Sequence, residues 1–206
     1  MTTKVDPKRE LACYRARRDR PELVTVPDLQ YLMIDGHGDP NTAPVYAEAL
    51  ASLYPLAYRL KFLSRNELGR DHVVMPLEAL WWSADLASFT SARDTSRWSW
   101  TLMIMVPPWI EEEHVARSRV AARAAGAPDR VGEVRLERYE EGLCVQTLHV
   151  GPYDAEGPVL AAMHDEFIPA NGLKMTGHHH EVYLSDPRRT AADRLRTILR
   201  QPVARL

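Results

Sequence analysis

Cysteine is scarce: Cys13 and Cys144 are the two in 206 residues. They lie far apart and fit no metal or redox spacing, which excludes a disulfide framework and suits a reducing compartment. No apolar run approaches the ~20 residues of a membrane span, and the opening Met-Thr-Thr-Lys-Val-Asp has no apolar core for export. The expectation is a soluble, cytoplasmic protein with no membrane partner. A strong field of one sign is also missing: the net charge is -2 and the pI about 6.4, so no global basic surface exists to hold nucleic acid. The first twenty residues are locally basic, with Lys4, Lys8, Arg9, Arg15, Arg17, Arg18 and Arg20, and read as a solvated amphipathic leader.

Catalytic signatures are absent too. There is no Gly-x-Ser-x-Gly elbow, no phosphate loop and no dinucleotide glycine fingerprint. No cofactor is implied, and any chemistry has to run on acid/base groups and bound water. What remains is a globular composition, 45% apolar and 26% charged, long enough for one sizeable core.

The run Thr176-Gly-His-His-His-Glu-Val-Tyr-Leu-Ser-Asp-Pro-Arg-Arg189 is the most informative. It predicts a strand entered from a glycine turn and ended by Asp186-Pro187. Alternation puts His179, Glu181 and Tyr183 on one face and His180, Val182 and Leu184 on the other. A carboxylate between an imidazole and a phenol is costly to cover with apolar core, so that face is either solvated or lines a pocket. His178, His179 and His180 do not converge on one ion, because adjacent strand residues point oppositely; no metal site is expected.

Elsewhere, residues 7–18 predict a short helix, Val24 to Asp35 an extended segment, and 43–63 a helix with a kink or break at Pro55. Val73 to Trp82 and Trp98 to Val106 predict strands, Pro76 marking an edge or bulge in the first, with a loop at 84–96 between them. A helix over Glu111 to Ala125 follows. Val131 to Tyr139 and Leu143 to Val150 predict a hairpin turning at Glu140-Glu141-Gly142. A helix near 155–170, the Glu181 strand and a last helix, capped at Thr190 and carrying Leu195, Ile198 and Leu199, complete the chain. The order strand, glycine turn, helix, strand occurs twice, after Tyr31 and after Val145. That predicts an α+β fold of duplicated βαββ-type units, half-repeats 28–106 and 131–186, with pseudo-twofold symmetry around a central ligand groove. Residues 1–27 form the leader and 28–206 a single ligand-binding domain.

Five Trp against three Phe is unusual. Each indole N–H needs a partner when buried, so some of Trp81, Trp82, Trp98, Trp100 and Trp109 are expected to form flat walls that stack on a planar ligand, a cation included. Met103 and Met105, on the opposite face of the same strand, are further candidate contacts. Glu181 is the candidate general acid, general base or counter-ion, and Glu78 a second candidate carboxylate. His149, ahead of a tight turn, is either a ligand contact or a backbone hydrogen-bonding group.

Six segments together resemble the GyrI-like small-molecule-binding family. They are Ile34–Asn41, Pro76–Trp82, Trp98–Met105, Glu141–Tyr153, His179–Thr190 and Ile198–Val203. The resemblance implies paired βαββ units with a ligand groove, and a buried Glu, here Glu181, that receives lipophilic cations. Too few residues precede the domain for the DNA-binding region of multidrug-sensing relatives, so the chain resembles the stand-alone, Trp-rich branch. That branch implies two roles: binding of planar aromatic drugs, and hydrolysis of cyclopropane-bearing DNA-alkylating agents, each serving drug resistance or detoxification. For hydrolysis, Glu181 would act with Tyr153 or Tyr183. The alternative is a non-enzymatic co-regulator or inhibitor that acts by protein contact.

Overall fold

The computed structural model describes residues 4–83 and 94–206. In chain order these form α1 (Pro7–Glu10), β1 (Glu22–Val26), β2 (Leu29–His37), α2 (Pro44–Asn66), β3 (Leu77–Trp82) and β4 (Ser99–Met105). Then come α3 (Glu112–Ala124), β5 (Arg135–Tyr139), β6 (Gly142–Val150), α4 (Gly157–Ala161), β7 (Leu173–Met175), β8 (His179–Tyr183) and β9 (Arg196–Arg205). The class is α+β, as the sequence predicts, and the strands pair antiparallel. Two compact units divide the chain, one holding Leu29–Met75 and Trp81–Tyr139, the other Pro7–Asp28, Pro76–Leu80 and Glu140–Leu206. Among the described residues no helix is long and apolar enough to cross a membrane.

In unit 1, β2 lies between β4 and β5, with Ile34 opposite Leu102 and Leu32 opposite Leu136. Tyr31 to Ile34 and Trp100 to Met105 are buried throughout, so these central strands read as continuous apolar runs and not as alternations. Helix α2 buries Ala49, Leu53, Leu56, Ala57 and Leu60, the three- and four-residue steps of an apolar stripe. It runs unbroken through Pro55, against the expected kink or break; Pro55 is exposed, and water can take the carbonyl that its missing N–H leaves over. Helix α3 starts at a reciprocal cap, in which the Glu111 side chain accepts from the His114 backbone while His114 Nδ1 accepts from the Glu111 N–H over 3.0 Å.

In unit 2 the strand order is β1-β6-β9-β8, with β3 beside β8 and β7 on the far reach of β9. Val145, Met163, Ile168, Leu173, Leu199 and Val203 form the core under α4 and the helical turns after it. Residues 7–18 are not a solvated helix: α1 is one turn long, and Cys13 and Tyr14 then turn inward and are buried.

Two further expectations fail. Strands β5 and β6 form no hairpin; β5 pairs with β2, while β6 pairs with β1 and β9. The would-be turn residue Glu141 is instead drawn into the core of unit 2 by ion pairs. The last predicted helix is a single turn at Ala192–Arg194 followed by the ten-residue strand β9. Its Leu and Ile spacing suits a helix, but Pro202 cannot continue one, and Thr197, Ile198 and Val203 are β-branched. The predicted loop at 84–96 lies mostly outside the described residues, its end forming a turn at Thr95–Arg97.

Candidate functional site

Strand β8 starts after Gly177, whose backbone takes the left-handed region at φ 58°, and pairs along β9 with Glu181 opposite Leu199 and Tyr183 opposite Thr197. The predicted alternation is observed: His180 and Val182 are buried, whereas His179, Glu181 and Tyr183 are partly open. Two groups flank the Glu181 carboxylate. The Tyr183 hydroxyl donates to Oε2 over 2.7 Å, and His179 Nε2 lies 3.4 Å from Oε1. The side chains of His179 and Glu181 are each 13% exposed, so this carboxylate is mostly covered.

Two residues from other elements complete the cluster. Tyr153, in the turn Tyr153–Ala155, sets its ring edge-on to Tyr183 with centroids 5.6 Å apart. His164 sits in a stretch of π-helix, Ala162–Phe167, and meets the His179 ring edge-on at 5.8 Å. Such local widening of a helix recurs at functional sites. Burial, with a smaller contribution from His179, pushes the His164 imidazole down to about 4. It is therefore a neutral imidazole at physiological pH, and its Nε2 is buried without a hydrogen-bond partner in the protein. Sequence reasoning missed His164, because a lone histidine in a helix carries no periodic or motif signal.

The other sequence candidates of unit 2 fall elsewhere. His149 Nε2 lies 3.1 Å from the Pro152 carbonyl, which is the backbone role weighed for it. Glu78 is fully buried on the opposite side of β8 from Glu181, 3.0 Å from His180 Nε2 and accepting from the Tyr14 hydroxyl over 2.6 Å. His178 is exposed, so the three successive histidines diverge; among the described residues no trio of His, Cys, Asp or Glu is placed to hold a metal.

In unit 1 four of the aromatic rings gather. Tyr46 stacks near Trp81 at 6.3 Å and meets the edge of Trp100 at 5.1 Å, while Trp98 meets the edge of Trp81 at 5.5 Å. Trp100 is wholly buried and donates its indole N–H to the Gly38 carbonyl over 3.2 Å. Its ring covers Gly36 so closely that a Cβ there would fall 2.0 Å from it. Met103 and Met105 are also buried, in β4. Trp82 and Trp98 are half-buried and keep part of their surface open. Trp109 serves a different purpose: it donates to Ser64 Oγ over 2.9 Å, and the Arg70 guanidinium lies 5.3 Å above its ring. Trp109 is half-buried like Trp82 and Trp98, whereas Trp81 and Trp100 are buried.

The chain is similar to known structures over nearly its full length. A conserved protein from Listeria innocua is 38% identical, with 98% of this chain and 100% of that chain covered and a TM-score of 0.89. A Listeria innocua protein described as a hydrolase is 37% identical over the same shares, with a TM-score of 0.85. The EcmrR C-terminal domain is 12% identical, with 91% of this chain and 98% of that chain covered and a TM-score of 0.56, a likeness of fold alone. No curated protein matches the sequence. The family model of the GyrI-like small molecule binding domain matches residues 20–204, and the chain belongs to that family.

Proposed function

We propose that this small-molecule-binding chain takes up planar, lipophilic, often cationic aromatic compounds, with Glu181 as the receiving carboxylate, and that it serves drug resistance or detoxification. The observation that carries the reading is the Glu181 carboxylate, 13% exposed, held by the Tyr183 hydroxyl, near His179, with Tyr153 packed on Tyr183. A carboxylate so largely covered attracts a cation more strongly than one in bulk water, because little solvent screens it. The faces of Tyr153 and Tyr183 add cation–π attraction. Calorimetric titration with planar cationic, neutral and anionic dyes of matched size tests it. Preference for the cation in the micromolar range, about -8 kcal/mol, supports the reading. Equal affinity for all three charges counts against it.

A second reading, hydrolysis, is favoured by the 37% identity to Listeria innocua proteins described as hydrolases. The substrate class is a cyclopropane conjugated to a carbonyl, as in DNA-alkylating natural products. Tyr153 or Tyr183 would donate a proton toward the carbonyl oxygen while Glu181 takes one from water. The water oxygen bonds to a ring carbon, the strained C–C bond breaks, and its electron pair passes through the conjugated system to the carbonyl. The product is the enol or phenol form carrying one added water. Incubation with such a compound, followed by a search for the added mass of water, tests turnover. Its absence across the class leaves a binding protein.

A further inference from the structure

Behind Glu181, on the opposite face of β8, lies a set of buried charges. His180 Nε2 is 3.0 Å from Glu78 Oε2, and His180 Nδ1 is 2.9 Å from Glu141 Oε2. Arg200 donates to the same Glu141 oxygen over 2.8 Å, to Gln146 Oε1 over 3.3 Å and to the Cys13 carbonyl over 2.5 Å. The Tyr14 hydroxyl closes the set on Glu78. The side chains of Glu78, Glu141 and His180 are 0% exposed, and that of Arg200 is 1% exposed. These residues come from β3, the entry to β6, β8, β9 and the turn after α1, so five separate segments of unit 2 meet in one charge set.

Buried charges are tolerated only when they are paired, and removing one partner leaves a costly isolated charge. Two carboxylates and one guanidinium leave an excess negative charge, which a protonated His180 cancels. We propose that Glu78, Glu141, His180 and Arg200 form a charge-balanced lock that positions Glu181 by holding β8 with His180 inward and Glu181 outward, and that the lock is complete only while His180 is protonated. The proposal rests on the reading of Glu181 as the ligand-facing carboxylate. His180, Glu78, Glu141 and Arg200 are in this account positioning residues, since each acts on a ligand through β8.

The electrostatics agree. Burial, and to a smaller extent Arg200, opposes charge on His180, but Glu141 and the donation of the imidazole to both carboxylates outweigh them and raise its pKa. Burial would raise Glu141 as well, and His180 and Arg200 overcome it, holding that carboxyl at about 2. The other titratable groups that face the set are the Cys13 and Cys144 thiols, which burial pushes up to about 11 and about 12, so they stay neutral. Because the folded pKa of His180 is raised, its contribution to stability is complete below the unfolded value and is lost as pH rises through the folded value.

The test uses His180→Gln and the double variant Glu78→Gln/His180→Gln, each followed by melting temperature and rhodamine-dye affinity at about pH 8 and about pH 6. The single change leaves the excess negative charge buried. At the higher pH it should melt earlier and bind dye at least about tenfold more weakly, and both losses should shrink at the lower pH as a carboxylate takes up a proton. The double variant restores neutrality and should keep affinity within about threefold at both pH values. Equal behaviour of His180→Gln and wild type, or a double variant as impaired as the single at both pH values, overturns the lock. If the single variant does not fold at the higher pH, a folded double variant supports the proposal and an unfolded one overturns it. A wild-type protein that binds no dye refutes the reading of Glu181, and the melting profile alone then decides the lock.

Discussion

The Tyr183 hydroxyl donates to Glu181 Oε2 over 2.7 Å, two positions away on the same face of β8. That bond fixes where the carboxylate points. Tyr183→Phe should therefore free the carboxylate to rotate. We expect dye affinity to fall about threefold to tenfold with no change in melting temperature beyond about 1 °C, since hydrogen bonds to charged groups contribute about 1.5–3 kcal/mol when buried and less at an open site. Titration and melting of the same sample check it.

If the chain opens cyclopropanes, Glu181→Gln should lower turnover by about 10²–10⁴-fold and leave affinity for a neutral substrate nearly unchanged, because the amide keeps the shape and one acceptor. Single-turnover kinetics separate the two effects. Glu78→Gln is not a neutral control here, since Glu78 is buried against His180 and Tyr14; it should lower stability first.

His164 sets an acid limit. Burial holds its folded pKa at about 4, so the unfolded chain binds more protons than the folded one between that value and the ordinary imidazole range. Stability should fall as the pH drops from about 6.5 to about 4, by at most about 3 kcal/mol from this residue. His164→Phe should flatten that part of the profile in urea titrations. An unchanged profile would mean the imidazole is not kept neutral by folding.

Gly36 and Trp100 make a second, structural pair. A methyl group at Gly36 would overlap the indole at 2.0 Å, and the wholly buried ring has no room to retreat. Gly36→Ala should destabilise by about 1–3 kcal/mol, the usual cost of overpacking. Trp100→Ala should likewise lower the melting temperature, since its wholly buried ring packs on Gly36 and Tyr46.

Much of the candidate site was legible in sequence because a strand's period of two is rigid. Once His179 to Tyr183 is a strand, Glu181 must share a face with His179 and Tyr183, and His180 must oppose them. The chain's class followed from the same local signals, Gly177 before β8 and the helical stretch Glu111 to Ala125. What was not legible depended on distant partners. Nothing local says that Tyr14 and Glu78 meet, so the N-terminal segment read as a solvated leader and Glu78 as a rival to Glu181. Glu140-Glu141-Gly142 has turn chemistry, yet the attraction of Glu141 for His180 and Arg200 removes it from any turn. Leu195, Ile198 and Leu199 fit a helical stripe as well as a fully buried strand, and short apolar runs do not distinguish the two.

The central claim is that Glu181 receives the ligand. Titrating the intrinsic tryptophan fluorescence with a rhodamine-type cation, for wild type and for Glu181→Gln, tests it most directly. The account predicts saturable quenching in the micromolar range for wild type and a loss of at least about tenfold for the variant, or about 1.4 kcal/mol. Its melting temperature should be retained, because Glu181 is not part of the buried charge set. Equal affinity of the two proteins would contradict the account.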